Sequence, residues 1–118
     1  MRNAKPPTAL VLSDDALAAA LVAAAVEHYG LTPAFPGPGE SPRDALRRLR
    51  PRVVLVDCEH RTACSESFFG PATMTGARII LYGAPQAEAS LRALAARHNL
   101  AAVVLPGDAA DLGRLLDG

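Results

Sequence analysis

The sequence is poor in lysine, cysteine and aromatic residues. Lys5 is the only lysine among 12 basic residues, which 12 acidic residues balance, and there is no tryptophan. A formal net charge of zero argues against attraction of the whole chain to nucleic acid or to an anionic membrane. Two cysteines without a disulfide-dense pattern favour a reducing compartment, so we expect a cytoplasmic protein.

Long apolar runs are also missing. The longest uncharged one, Ala16 to Val26, lies between Asp15 and Glu27 and is too short to cross a bilayer. The first eight residues contain two prolines in place of the apolar core of a secretion signal. We therefore expect no membrane-spanning segment, and the 118 residues suit a single domain over 1–118.

What the sequence does contain is a repeated alternation of short apolar runs with helical patterns. The runs have the length and valine content of buried strands, and they begin at Thr8, Leu31, Arg52, Ala77 and Leu100. Pro33 in the second run favours a sheet edge. The alternation predicts an α/β fold, a three-layer sandwich in which a five-stranded parallel sheet has helices on both faces.

The first helical segment is rich in alanine, and its apolar face is predicted from spacing. Leu17, Leu21 and Ala24 or Ala25 recur at helical intervals, and we expect this face to pack on the sheet. The second segment begins with Ser41 as a predicted N-cap, followed by proline at the first helical position.

The later helical segments differ in clarity. Residues 58–77 give the weakest pattern, from which we predict a short helix near Ser65 to Phe69 and a loop from Gly70 onward. The last helix is predicted to follow Asp108 as its cap.

Acidic residues stand where two of the predicted strands end. Asp14 and Asp15 follow the first strand and Asp57 ends the third, and the binding crevice of such sheets lies at the carboxyl ends of the strands. Two explanations remain open at this point. In the first, Asp57 caps a turn while Asp14 and Asp15 cap the first helix. In the second, the three acids share one pocket.

Three short segments carry a resemblance to a known family. "VLSDDAL" after strand one, "VVLVD" at strand three and "VVLPGD" at strand five resemble the receiver domain of bacterial two-component response regulators. The resemblance covers nearly the whole chain and implies a flavodoxin-like fold. It also implies that Asp57 stands where receivers accept a phosphoryl group from a histidine kinase.

The resemblance further implies a metal site beside this acceptor. Acids after strand one, the acceptor and a backbone carbonyl two residues beyond it would hold Mg²⁺, which here points to Asp14, Asp15, Asp57 and the carbonyl of Glu59. The preferred register aligns Ser13 with the first acid of the family and Asp14 with the second. A shift by one residue would instead use Asp14 and Asp15 as the pair.

The sequence departs from the family at two switch positions. Gly83 stands where a Ser or Thr ends strand four, and Leu105 stands before Pro106 where the family has Lys. Lys5 precedes strand one and should lie at the opposite edge of the sheet, and only Arg61 among the arginines follows a strand's carboxyl end. Since Mg²⁺, lysine and hydroxyl offset the negative charge of the transferred group, we expect weak Mg²⁺ binding and impaired phosphorylation of Asp57.

Three functions follow from this interpretation. The first is a stand-alone, degenerate receiver-like domain that signals through protein contacts, with no catalytic residue of its own. The second is a functional single-domain receiver that a histidine kinase phosphorylates on Asp57. The third is a small flavodoxin-like ligand-binding protein, for which the sequence supplies neither a nucleophile–base pair nor a phosphate-binding glycine loop.

Two further features leave alternatives open. The resemblance implies a homodimer through helix four, strand five and helix five. It agrees with the apolar residues there, Tyr82, Leu91, Leu112 and Leu115, although core packing also explains the leucines. Cys58, His60 and Cys64 form a loose set of metal ligands that fits no closed zinc motif, so a zinc or redox role competes with simple packing of the cysteines.

Overall fold

A computed structural model describes residues 7–60 and 63–117, so Lys5 and Arg61 lie outside the described residues. The strands and helices alternate along the chain, and a 3₁₀ turn, Pro85–Ala87, follows the fourth strand. The strands are β1 (Thr8–Leu12), β2 (Thr32–Ala34), β3 (Val53–Asp57), β4 (Arg78–Gly83) and β5 (Ala101–Val104), and the helices are α1 (Ala16–His28), α2 (Pro42–Leu49), α3 (Glu66–Met74), α4 (Glu88–His98) and α5 (Ala109–Asp117).

The five strands form one parallel sheet in the order β2-β1-β3-β4-β5. The predicted fold class is therefore confirmed, and so is the edge position of the strand that contains Pro33. Asp57 pairs in register with Tyr82 on β4, which places both residues at the carboxyl edge of the sheet.

Alternate residues of β1, β3, β4 and β5 supply two apolar layers, one on each face of the sheet. One layer contains Leu10, Val54 and Leu81 and is covered by α2, α3 and α4. The other contains Val11, Leu55 and the helix residues of α1 and α5. This period-two division explains why the strands read as continuous apolar runs, since both of their faces are buried.

Of the predicted sheet-facing residues of α1, the two leucines are wrong, whereas Ala25 packs partly against the core. Leu17 and Leu21 are 70% and 63% exposed, and the residues that pack on the sheet are Val22 and Val26. Because α1 consists almost entirely of alanine, valine and leucine, several faces satisfy the same spacing. The sequence pattern alone therefore does not select the rotation of this helix about its axis.

The predicted end of α3 is also wrong, because the helix continues through Pro71 to Met74. Proline lacks the N–H that would bond to the carbonyl four residues earlier, which normally ends a helix. Here Phe68, Phe69 and Ala72 are buried against the sheet, and their packing outweighs the lost hydrogen bond. Thr73 adds a hydrogen bond from its hydroxyl to the Phe69 carbonyl, at 2.7 Å.

The helix ends agree with the sequence in one case and differ in another. Ser41 caps α2 as predicted, since its hydroxyl accepts a hydrogen bond from the Asp44 N–H at 3.1 Å. Asp108 precedes α5, but its carboxylate accepts from the Val104 N–H and from Arg92, both at 2.9 Å, and so ties the β5–α5 turn to α4.

Among the described residues, no helix has the length and apolar character needed to traverse a bilayer.

Helices α1 and α5 touch where the first one ends. The Tyr29 ring, at the C-cap of α1, lies against the bare backbone of Gly113 in α5, and a methyl group at that glycine would overlap the tyrosine hydroxyl.

Candidate functional site

Asp57 is the one buried charged residue in the described part of the chain, with 7% of its surface exposed. It is the last residue of β3 and lies at the carboxyl edge of the sheet. Its Oδ1 accepts a hydrogen bond from the Glu59 N–H at 3.0 Å, and its Oδ2 accepts one from the Ser13 hydroxyl at 2.7 Å. No Lys, Arg or His within residues 7–60 and 63–117 forms an ion pair with it.

Ser13 is thus the residue of the β1–α1 connection that contacts Asp57. The preferred sequence register placed Ser13 beside the acceptor, but it rested on Leu17 and Leu21 facing the core, and both are exposed. The position of Ser13 therefore follows from its hydrogen bond to Asp57 and not from the helix face. A hydroxyl donor stands where the resemblance implies a metal-binding acid.

The two acids that follow Ser13 turn to different sides of the β1–α1 connection. The Asp15 carboxylate caps α1, accepting from the N–H groups of Leu17 at 2.9 Å and Ala18 at 3.3 Å. The Asp14 side chain is 79% exposed, and its Oδ1 lies 3.7 Å from Nε2 of His60. Of the two, only Asp15 lines the same cavity as Asp57.

This arrangement fits a divalent cation only in part. Mg²⁺ prefers octahedral oxygen ligands and usually keeps several waters. The Asp57 carboxylate and the Glu59 carbonyl are available as metal ligands. The Asp15 carboxylate instead caps α1, and the Asp14 carboxylate lies near His60. Within the described residues, no group of three or more His, Cys, Asp or Glu side chains is placed to hold a metal.

Gly83 and Leu105, the two switch positions, both line the cavity that contains Asp57. The Leu105 N–H donates to the Gly83 carbonyl at 2.9 Å, which holds the ends of β4 and β5 together. A Cβ built on Gly83 would lie 3.5 Å from Cys58 Cβ and from Leu91 Cδ2, which is ordinary van der Waals distance. The backbone therefore leaves room for a small side chain at position 83.

The cavity at the sheet edge has a volume of about 380 Å³ and lies between α1, α5 and the ends of β3, β4 and β5. Its walls are largely apolar and include three acidic residues, with no lysine, arginine or histidine among the described residues that line it. The lining residues are Asp15, Ala18, Leu21, Ala25, Asp57, Glu59, Tyr82, Gly83, Ala84, Leu105, Pro106, Ala109 and Leu112.

Tyr82 is a member of this site that the sequence did not reveal. It is 2% exposed, and its hydroxyl has no hydrogen-bond partner within the described ranges. Burial raises the pKa of the phenol, an effect that the Ser13 hydroxyl beside it opposes and that the charges of Asp57 and Asp15 reinforce. The only signal in the sequence was a tyrosine at the end of an otherwise apolar strand.

The two cysteines pack beside the site, at the edge of the layer that α2, α3 and α4 cover. Burial, followed by the neighbouring Cys58 and by Asp57, raises the pKa of the Cys64 thiol to about 12. His60 does not join them, since its Nδ1 accepts from the Ala63 N–H at 3.3 Å. The described residues thus assemble no zinc site, and a redox role stays a prediction.

We predict that Cys64 resists alkylation, because the thiolate is the reactive form and a pKa near 12 leaves very little of it at pH 8. Iodoacetamide should modify Cys64 at least about a hundredfold more slowly in the folded protein than in urea. Trypsin cleavage after Arg61 separates the two cysteines, so mass spectrometry can follow each peptide. Equal rates in the folded and unfolded protein would contradict the prediction.

The residues predicted for a homodimer surface do not form one. Tyr82, Leu91 and Leu112 are buried in the two core layers, and Leu115 is half-buried. Core packing therefore explains why these residues are apolar. The homodimer stays a prediction, and the three buried side chains are not free to form its interface.

We predict that Asp57→Asn stabilises the fold by about 1 kcal/mol, because a buried carboxylate without a cation carries an uncompensated desolvation cost. Asparagine keeps an oxygen for the Glu59 N–H and presents an amide to Ser13. Urea unfolding at pH 7 measures the change. Asp14→Asn is the matched control on an exposed carboxylate and should shift stability by less than about 0.5 kcal/mol.

Comparison with known proteins identifies the fold. No family model and no curated protein matches the sequence. Among solved structures, a response regulator receiver protein from Burkholderia phymatum superimposes with a TM-score of 0.74 at 18% identity, covering 93% of this chain and 91% of its own. The receiver domain of a sensor histidine kinase from Pseudomonas aeruginosa, with a magnesium ion coordinated in its active site cleft, gives 0.73 at 20% identity and 95% of both chains.

A third similar structure is a CheY-like response regulator receiver domain from Methylobacillus flagellatus, with a TM-score of 0.64 at 17% identity, covering 95% of this chain and 97% of its own. The chain therefore has the fold of response-regulator receiver domains, and the fold that the resemblance implied is confirmed.

Proposed function

We propose that this protein is a receiver-like signalling module that works through protein contacts and in which phosphorylation of Asp57 is impaired or absent. The receiver fold supports a role in signal transduction. The observation that carries the proposal is that Asp57 and Leu105 line the same cavity, because position 105 is where the family resemblance calls for a lysine.

The electrostatics of the site support impaired phosphoryl transfer. A phosphoryl group on Asp57 would add negative charge to a cavity that three acidic residues line and that has no cation among its described lining residues. At an effective dielectric near 20, a close charge pair contributes about 4 kcal/mol, and this attraction is missing when leucine replaces lysine. Glycine at position 83 also removes the hydroxyl on which a two-state element would close.

In this proposal the partners are other signalling proteins, including a histidine kinase, and the protein is a binding module and not an enzyme. Mg²⁺ would be held weakly, by the Asp57 carboxylate and the carbonyl of Glu59 with help from Asp14, and would supply positive charge opposite a phosphoryl group. The zero net charge favours protein partners over nucleic acid or membrane.

A second candidate function is that of a working receiver, phosphorylated on Asp57. What favours it is the position of the Asp57 carboxylate at the carboxyl edge of the sheet, where its oxygens have spare acceptor capacity. The cavity also leaves space beside the carboxylate for a tetrahedral group.

Incubation with acetyl phosphate or beryllofluoride and millimolar Mg²⁺ separates the two functions. Under the proposal, intact-mass spectrometry shows no added phosphoryl group, and beryllofluoride leaves the melting temperature unchanged. A mass gain or a stabilisation that disappears in Asp57→Ala would establish the second function instead. Asp44→Ala removes an exposed carboxylate on α2 that does not line the cavity, and it controls for modification at other sites.

A further inference from the structure

We propose that the cavity beside Asp57 binds a small organic ammonium ion, with its cationic head on the Asp57 carboxylate and a compact apolar body between α1 and α5. This inference concerns ligand binding in the absence of Mg²⁺ and of any phosphoryl donor. It is therefore independent of the function proposed above.

The size of the cavity fits such a ligand. Pockets that bind small molecules have volumes of several hundred Å³, are mostly apolar and contain a few placed polar groups. At about 30 Å³ for a water-sized group, 380 Å³ accommodates roughly a dozen non-hydrogen atoms. A simple metal ion or a lone phosphoryl group would leave most of this volume unfilled.

Aliphatic side chains from three elements form the apolar walls of the cavity. Leu105 contributes an aliphatic side chain from the end of β5, and Leu112 contributes another from α5. Leu21 lines the cavity from α1 although it is 63% exposed, so an apolar ligand would cover surface that is otherwise open to water. Covering this surface favours an apolar body.

The polar end of the cavity selects the charge of the head group. Asp57 is buried, and each of its oxygens accepts one hydrogen bond, so both can accept another. Asp15 and Glu59 add further negative charge, and no basic residue is found among the described lining residues. This one-sided charge favours a cation and disfavours carboxylates and phosphates.

Tyr82 gives an independent indication that a polar ligand atom belongs here. Its hydroxyl is buried without a hydrogen-bond partner in the described part of the chain, and buried polar groups are seldom left unpaired. No hydrogen bond of good geometry links it to the neighbouring Ser13 hydroxyl, and the charges of Asp57 and Asp15 also act on it. A bound ammonium group would supply a donor at this end of the cavity.

Three compounds with one apolar body and different heads test the proposal: 2-phenylethylamine, neutral 2-phenylethanol and anionic phenylacetate. Titrations into ¹⁵N-labelled protein at pH 7 with EDTA should show saturable shifts for the amine at residues that line the cavity. We expect a Kd on the order of 1 mM or tighter, about tenfold weaker binding of the alcohol and none of the acid.

Matched variants locate the binding. Ala109→Trp fills the cavity from an exposed position on α5, and Ala110→Trp places the same ring on a neighbouring exposed position that does not line it. Only Ala109→Trp should abolish the shifts. Ala18→Phe against the exposed Ala24→Phe repeats the test on α1 if the first pair misfolds. Asp57→Asn should weaken amine binding about tenfold, and Tyr82→Phe about threefold.

The proposal is overturned if the amine gives no saturable shifts, if the alcohol and acid bind as tightly, or if the cavity-filling variants bind normally. Phosphoryl mimics do not enter this experiment. A negative titration would therefore not contradict the proposed receiver-like function. Phosphorylation of Asp57 by acetyl phosphate would likewise not contradict binding of the amine.

Discussion

Replacing Leu105 with lysine and Gly83 with serine should raise the rate at which Asp57 is phosphorylated by acetyl phosphate at least about tenfold. Both positions line the cavity that contains Asp57, so the new ammonium group and hydroxyl would be placed beside the transferred group. The full charge-pair attraction of about 4 kcal/mol would give a larger factor, and solvent screening reduces it.

The backbone tolerates this pair of changes. A Cβ at position 83 meets Cys58 and Leu91 at ordinary contact distance, and the Leu105 side chain is half-buried at a turn, where a lysine stem can lie along apolar surface. Intact-mass time courses with Mg²⁺ measure the rate. The matched control, Leu105→Gln with Gly83→Ser, adds the same hydroxyl and a polar side chain without charge. If this control gains as much as the lysine variant, charge is not what the site lacks.

Phe68→Ala should lower the free energy of unfolding by about 3–5 kcal/mol, the usual cost of emptying an aromatic position in a core. Phe68 is among the largest fully buried side chains and anchors α3 to the sheet. This helix needs the anchor more than the others, because Pro71 interrupts its hydrogen bonding.

Urea unfolding with Met74→Ala as the comparison isolates the packing term. Met74 is on the same helix and is 89% exposed, so its truncation should change stability by less than about 0.5 kcal/mol. Similar losses in both variants would mean that burial of Phe68 against the sheet is not what stabilises α3.

The sequence predicted what depends on local chemistry and strand patterning. The run Val53 to Val56 is apolar on both faces and forms the central strand, Pro33 lies at the edge, and Ser41 caps its helix. Each of these outcomes depends on a residue's own backbone constraints or on the burial of both strand faces.

What the sequence did not predict depends on how the elements pack together. The rotation of α1 was wrong because its alanine-rich surface offers several equivalent faces, and tertiary packing selected Val22 and Val26. The continuation of α3 through Pro71 required burial of distant aromatic rings. The cavity depends on the separation of α1 from α5, which no single segment encodes, so the unpartnered Tyr82 could not be recognised.

The Tyr29 side chain occupies the space that a side chain at Gly113 would need, so this glycine allows α1 and α5 to approach each other. Any larger residue at position 113 must either expel the tyrosine ring or push the far ends of the helices apart. At the opposite end of the two helices, the small side chains of Ala18 and Ala109 line the cavity and leave it open. We therefore expect a larger residue at position 113 to change the width of the cavity between α1 and α5, although Gly113 itself does not line it.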